Sequence, residues 1–347
     1  MNILRGGTDD FFGLDIGTSA VRVVQLSGKG PVKSLVRYGQ VAVDRKTATS
    51  DSNVDKQNLA QIVSQLISSS GISTNNVAVG ISSDKVFTAV FDFDRLSPDE
   101  LSKTLTYQAD SMIPTPLSES KVDWALIGDS PVDRTKVEIL LSSVHNKLVE
   151  NKLDLLESIG LNVIAFEPDN LALVRGMLSP ESSEAQMVLD IGLTSTDLVI
   201  VMNGAPRLTR SIPTGVESFV KAAMQNLGIE QSQAEQFVFK FGLSKEKLEG
   251  QVHQAIISTV DLLVAEIEKS IKFFQSRYKD VQVQRIVVTG GASTLPEFPL
   301  YLANKFSIGV EIGNSWRNVS FPPNRQNELL AVSNYYGVAA GLAERQE

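Results

Sequence analysis

Two short runs of this chain carry side chains suited to phosphate and metal. Gly13-Leu14-Asp15-Ile16-Gly17-Thr18-Ser19 returns as Val188-Leu189-Asp190-Ile191-Gly192-Leu193-Thr194-Ser195-Thr196, with Asp15 and Asp190 standing 175 positions apart. Gly17 and Gly192 let the backbone approach a ligand closely. Successive N–H groups in such turns form nests for anionic oxygens, and the hydroxyls of Thr18, Ser19, Thr194 and Ser195 add donors. Asp15 and Asp190 would repel phosphate, so the metal they suit is Mg²⁺ held through water. Two such turns facing each other would clamp the phosphates of a metal-bound nucleotide from both sides. A single Asp-Ile-Gly would favour a plain strand-end turn; the repetition favours the clamp. A third segment, Arg285 to Ser293, reads as a buried strand ending in Gly290-Gly291, a turn that admits a flat ligand or simply joins strand to helix.

The elements that must position these turns are legible from periodicity. Each repeat ends one apolar run and enters another, Val21–Leu26 and Leu198–Val201. Each then meets a turn signal: Ser27-Gly28-Lys29-Gly30 in the first, and Asn203-Gly204, a strong hairpin signal, in the second. Both halves therefore open with a β-meander. Asp44 to Asp55 reads as a polar loop. Leu59, Ile62, Val63, Leu66 and Ile67 recur at helical spacing, and Asn76–Ile81 reads as a strand. The next eighty residues differ in character: strand Val86–Phe93, a helix capped at Ser97-Pro98-Asp99-Glu100 running to about Met112, strands Val122–Ile127 and Val137–Val144, helix Leu148–Ile159 and strand Leu161–Phe166. That is a β-α-β-β-α-β insert without a phosphate turn. A helix follows Glu167-Pro168, then the second meander, a helix Glu217–Leu227 and a helical insertion to Gly242. The stripe on Val252–Tyr278 reads as core packing. A single last helix, Glu328–Leu342, is expected to pack on another helix through Gly337 and Gly341.

Composition bounds the function. A chain of 347 residues implies more than one domain. Net charge is −8, and no long Lys/Arg block is present, which disfavours nucleic acid. Cysteine is absent and histidine occurs only as His145 and His253, so disulfides, thiol nucleophiles and multi-histidine metal centres are poorly supplied. Met1 to Asp10 is polar and lacks a signal core. No stretch approaches the roughly 20 apolar residues of a membrane span, so a cytoplasmic location is expected.

The motifs resemble those of the actin-like ATPase superfamily, an α/β fold of two ribonuclease-H-like lobes around a nucleotide cleft. Asp15 to Ser19 is similar to its first phosphate loop, Asp190 to Thr196 to its second, and Thr289-Gly290-Gly291-Ala292-Ser293 to its adenosine loop. Arg22 stands where the superfamily places a basic residue near the phosphates. Glu167-Pro168 resembles the Glu-Pro that opens a connecting helix, its glutamate positioning the attacking water. The insert after the fifth strand, with Tyr107-Gln108-Ala109 through Ile113-Pro114, narrows the resemblance to the PilM family of type IV pilus assembly.

That resemblance implies a first lobe of 1–85 with 166–185 and 328–347, an insert of 86–165, and a second lobe of 186–222 with 279–327 carrying a helical subdomain of 223–278. It implies ATP with Mg²⁺ between the lobes, with Gly17, Thr18, Ser19, Arg22, Gly192, Thr194, Ser195, Thr196, Gly215, Glu235, Lys240, Gly290, Gly291 and Ala292 on the nucleotide. The family usually has a lysine three residues after Glu235 and Gly-Gly after the second meander; here Val238 and Val216 stand instead, which points to a loosely held base and slow or absent turnover. The family's partner is the N-terminal cytoplasmic tail of the inner-membrane protein PilN, with contacts to platform and motor proteins, no nucleic acid, a location at the inner face of the membrane through partners, and self-association left open. The rigid turn Ile113-Pro114-Thr115-Pro116, beside Tyr107, Met112, Ile113 and Leu117, is where the tail is expected; the alternative is that these residues form the insert's own core. Two other functions stay open: a phosphotransferase on the same fold, with Asp92, Asp94, Asp110 or Asp123 as base, and an FtsA-like membrane filament, disfavoured by the acidic, non-amphipathic end at Gly341–Glu347.

Overall fold

The apolar runs flanking the first repeated turn pair as expected. In the computed structural model, which describes residues 10–179 and 181–346, β1 (Phe12–Ile16), β2 (Ala20–Ser27) and β3 (Lys33–Ala42) form an antiparallel meander. Most of the polar stretch at the start of the chain lies outside the described residues. The segment expected as a loop instead holds a short helix, α1 (Arg45–Thr49), and the first turn of α2 (Asn53–Ser70). The reason is capping. Asp44 accepts from the Thr47 amide at 3.0 Å and Ser52 from the Asp55 amide at 3.2 Å, so the polar residues that look like loop are helix N-caps. β4 (Asn76–Ile81) then lies parallel to β1.

The insert is smaller than its sequence pattern implies. β5 (Val86–Asp94), β6 (Ser120–Asp129) and β7 (Lys136–His145) form their own sheet in the order β5-β7-β6, covered on one face by α3 (Pro98–Met112). Helix α4 (Asn146–Glu157) and strand β8 (Asn162–Pro168) return to the first lobe: β8 pairs with β4, and Leu156 and Val163 are buried with Phe12, Leu14 and Val79. The expected boundary at 165 therefore falls at about 145. A β-α-β-β-α-β pattern does not state which strands share a sheet.

α5 (Asp169–Met177) leads to the second meander, β9 (Gln186–Ile191), β10 (Thr196–Met202) and β11 (Ala205–Ile212). α6 (Val216–Leu227), α7 (Gln231–Phe241) and the long α8 (Gln251–Arg277) follow. Ile256, Val260, Leu263, Ile267 and Phe274 of α8 are buried in the second lobe's core, as the stripe implies. β12 (Arg285–Gly290) pairs with β9, and α9 (Phe298–Phe306) and β13 (Gly309–Ile312), absent from the sequence expectations, extend that sheet to β11-β10-β9-β12-β13. The chain then crosses back: β14 (Val319–Ser320) pairs with β3, completing β14-β3-β2-β1-β4-β8. Trp316 and Val319 thus belong to the first lobe, not the second.

The expected last helix is two, α10 (Gln326–Val332) and α11 (Gly337–Ala343). Between them, Asn334 donates to the Gly290 carbonyl at 3.2 Å and its own carbonyl accepts from the Thr289 hydroxyl at 2.5 Å. Those bonds fasten the break to the end of β12 instead of continuing the helical ladder. α5 and α11 pack together between the two large sheets, burying Ala172, Leu173, Met177 and Leu342 against Ala78 and Val188. Gly341 backs onto the Ala172 carbonyl so closely that a Cβ would sit 1.8 Å from it.

Candidate functional site

The two repeated turns have the same backbone geometry. Gly17 N–H donates to the Ala20 carbonyl at 3.0 Å, and Gly192 N–H to the Ser195 carbonyl at 2.9 Å. One turn comes from each lobe, and both line a single cleft of about 1020 Å³. Asp15, Gly17, Thr18, Ser19 and Arg22 form one side; Asp190, Gly192, Thr194 and Ser195 form the other, together with Gly290 and Gly291. Gly290 has φ of 79°, and a Cβ there would lie 2.4 Å from the Asp190 carboxylate. Glycine at 290 is thus required by the acid beside it as well as by the turn.

The repeats are not chemically equivalent. In the first meander Asp15 pairs across the strands with Arg22, Nη1 to Oδ2 at 3.5 Å. In the second, the position seven residues on is Asp197, directly opposite Asp190. Like charges face each other there, which is unfavourable. Burial, then Asp197 and Asp15, push the Asp190 carboxyl up to about 7; burial pushes Asp197 up to about 6. Burial also raises Asp15 against the pull of Arg22, and raises Asp169 well above the carboxylate range. Asp169 Oδ1 and Asp197 Oδ1 are buried without a hydrogen-bond partner. Carboxylates so placed suit a hydrated divalent cation; among the described residues no group of three or more ligating side chains forms a direct metal cage.

Several expected ligands lie elsewhere. Thr196 is fully buried, its hydroxyl donating to the Thr214 carbonyl at 2.7 Å. Gly215 backs the second turn: a Cβ there would meet the Gly192 and Leu193 carbonyls at 2.6 Å. Ala292 is buried behind the double glycine. On α7, Glu235 and Phe239 face the cleft four residues apart. Lys240, a further 100° around the helix, turns its ammonium group over the Phe241 ring at 5.4 Å. Glu167 is on another surface altogether, in ion pairs with Arg175 and Arg345, so it does not face the cleft to orient water. Asp169, two residues on, does.

Sequence reasoning missed Asp84, Lys152, Asp169, Asp197 and Phe239 on the cleft wall. Asp197 had a signal, because superposing the repeats aligns it with Arg22. Lys152 had none, being a lysine on an ordinary amphipathic helix.

A second, narrower cavity of about 160 Å³ separates the insert from the first lobe. Lys121, Trp124, Ala125, Leu140 and Val144 line one wall; Phe166, Glu167, Pro168, Leu171 and Arg345 line the other. β6 and β8, the outer strands of their sheets, both contribute. The residues expected to hold a peptide are not here. Ile113 is 7% exposed, and with Met112 and Leu117 it packs under α3 on the insert's own core. Strand alternation puts Ile139 and Leu141 on that face and Leu140 on the groove face. Tyr107 is 86% exposed and lines neither cavity. The core alternative describes Met112, Ile113 and Leu117.

Comparison with solved structures places this architecture. The chain superposes on a protein described as the PilM-PilN type IV pilus biogenesis complex with TM-score 0.82 and 22% identity, covering 97% of this chain and 98% of that one. The ethanolamine utilization protein EutJ from Carboxydothermus hydrogenoformans matches at TM-score 0.58 and 14% identity over 98% and 91% of the two chains. MreB5 of Spiroplasma citri, bound to AMPPNP, matches at 0.54 and 13% over 97% and 95%. The fold is thus actin-like, two lobes around a cleft. No described helix is long and apolar enough to cross a membrane. A family profile described as type IV pilus assembly protein PilM matches residues 13–347. With a matching fold and that profile across nearly all of its length, this chain belongs to the PilM family of type IV pilus assembly proteins.

Proposed function

We propose that this protein is a nucleotide-binding scaffold of the pilus assembly platform, which holds Mg-ATP between its lobes and the cytoplasmic tail of a PilN-type partner between its first lobe and its insert. The observation that carries the nucleotide is the convergence of two Asp-Ile-Gly turns, one from each lobe, on one cleft. Thr18, Ser19, Thr194 and Ser195 offer donors to phosphate, Gly17 and Gly192 shape the turns that present them, Asp15 and Asp190 hold water-bound Mg²⁺, and Gly290, Gly291, Glu235 and Phe239 receive the nucleoside. Mg²⁺ there would neutralise phosphate charge. MreB5, which shares the fold, is described as bound to AMPPNP, and that supports a nucleotide for this chain.

Turnover should be slow. Phosphoryl transfer depends on positioned groups, and with Glu167 tied up in ion pairs, orienting water would fall to a cleft carboxylate such as Asp169. Phosphate release should fall well below the roughly 1 per second at the low end of ordinary enzymes; a steady-state assay above that rate would make the protein an enzyme first.

Support for the tail site comes from the groove. Two outer strands flank it, which suits an extended peptide that pairs by main-chain bonds and seats alternate side chains. Leu171 offers an apolar wall. Leu171→Asp should weaken a PilN-type tail peptide about 30-fold or more, the size of a binding hot spot, whereas Tyr107→Ala should leave it unchanged. Calorimetric titration of both variants decides this, and the reverse pattern would return the tail to the end of α3. Through such a partner the protein would sit at the inner face of the membrane.

A further inference from the structure

We propose that Lys152 is a ligand for the terminal phosphate of the bound nucleotide, and that α4, which carries it, passes the state of the cleft to the peptide groove. The inference deepens the reading above and rests on it. On α4, Leu148, Asn151, Lys152 and Leu155 face the cleft at spacings of three, four and seven residues, one helical face. Val149, on a different face, lines the groove. One helix is therefore the wall between both cavities, and it connects the insert's strand β7 to the first lobe's β8. The β8–α5 corner has the same double role: Glu167 and Leu171 border the groove, while Asp169 and Leu173 border the cleft.

Lys152 stands beside Asp15 and Asp169, whose charges raise its pKa while burial lowers it more. Among the described residues neither a hydrogen bond nor an ion pair fixes its ammonium group. Asp15 already pairs with Arg22. Part-buried on the cleft wall, that cation is left available to an anionic ligand, and a phosphoryl oxygen would pair with it. Lysine, a point charge on a flexible stem, is suited to that contact. It lies on the first-lobe wall beside the Asp15 turn, whereas Phe239 and Gly291, where the base is expected, are second-lobe residues. Lys152 can therefore distinguish a triphosphate from a diphosphate. A shift of α4 toward the phosphate would carry Val149 with it and reshape the groove.

The test uses the full chain with Mg-AMPPNP and Mg-ADP in calorimetry. Lys152→Met should lose about tenfold or more in AMPPNP affinity, the worth of a charge-assisted hydrogen bond, with ADP affinity unchanged; Lys152→Arg should recover most of the loss. If Lys152 merely balances Asp15 and Asp169, both nucleotides weaken together, and that result overturns the proposal, as does no change in either. In the second arm, a synthetic PilN-type tail peptide is titrated against protein saturated with each nucleotide. Wild type should differ between the two by about fivefold or more, and Lys152→Met should not; equal affinities in wild type remove the transmission through α4. Wild type that binds neither nucleotide would overturn the functional reading itself, whereas wild type that binds with an indifferent Lys152→Met overturns only the lysine.

Discussion

Replacing Glu138 by alanine should destabilise the protein by about 3–5 kcal/mol, the cost of leaving a buried charge without its partner. Glu138 lies on β7 and is 0% exposed. It points away from the insert's own core, toward the second lobe. There its carboxylate accepts from Arg207, from Arg277 at 2.8 and 3.0 Å, and from the Tyr278 hydroxyl at 2.7 Å. The Arg207 side chain is 3% exposed and its other terminal nitrogen donates to the Ile127 carbonyl at 2.7 Å. Arg277 also holds Asp92 at 2.8 Å. Burial and the bond to Glu138 raise the Tyr278 pKa, so its hydroxyl stays a donor throughout the accessible pH range. Truncating Glu138 leaves the buried Arg207 guanidinium without its carboxylate partner. Glu138→Leu combined with Arg207→Met removes both charges and should recover most of the loss, because a buried pair is often replaceable by apolar side chains. Denaturant unfolding measures both variants. A midpoint for Glu138→Ala equal to wild type would mean that this network does not fasten the insert to the second lobe.

Asp190→Asn should lower Mg-nucleotide affinity about 10–100-fold, the usual effect of losing a group that orders a metal's outer shell, while stabilising the nucleotide-free protein at pH 8. The sign follows from linkage. The Asp190 carboxyl titrates near 7 when folded and near its ordinary 3.8 when unfolded. Between those values the folded state binds more protons, so stability falls as pH rises through the window and stays lowered above it. Asparagine carries no charge and escapes that fall, and its similar size respects the tight contact with Gly290. The melting temperature of the apo variant should exceed wild type at pH 8, and the two should converge toward pH 4. Conversely, Mg-AMPPNP should raise the wild-type melting temperature more at pH 8 than the variant's. Equal nucleotide affinity, or an apo variant less stable than wild type at pH 8, would show that Asp190 serves packing alone.

These two sites were visible in the sequence to different degrees. Asp190 announced itself because a duplicated Leu-Asp-Ile-Gly is a local pattern, and local patterns survive in one dimension. The meanders, the capped helix after Ser97 and the buried stripe of α8 were legible for the same reason: periods of 2 and 3.6 residues record which face is buried. Glu138 looked like any charged residue in a strand. Its importance depends on Arg207 and Arg277, 69 and 139 residues away, and no spacing rule spans that distance.

The chain by itself therefore determined the two-lobed architecture, the repeated Asp-Ile-Gly turns and the family, because each is written in contiguous residues. Only the tertiary structure decided how the cleft is furnished. Register set Asp197 against Asp190. The helical phase of α7 turned Phe239 inward and Lys240 outward. The ion pairs with Arg175 and Arg345 withdrew Glu167, while Asp169 lines the cleft. The return of α4 and β8 to the first lobe ended the insert at about 145 and brought Lys152 to the cleft wall. Strand alternation then moved the groove to the face of the insert opposite Ile113. In each case the deciding quantity was which of two faces a residue presents to a distant element, and that is fixed by packing between segments.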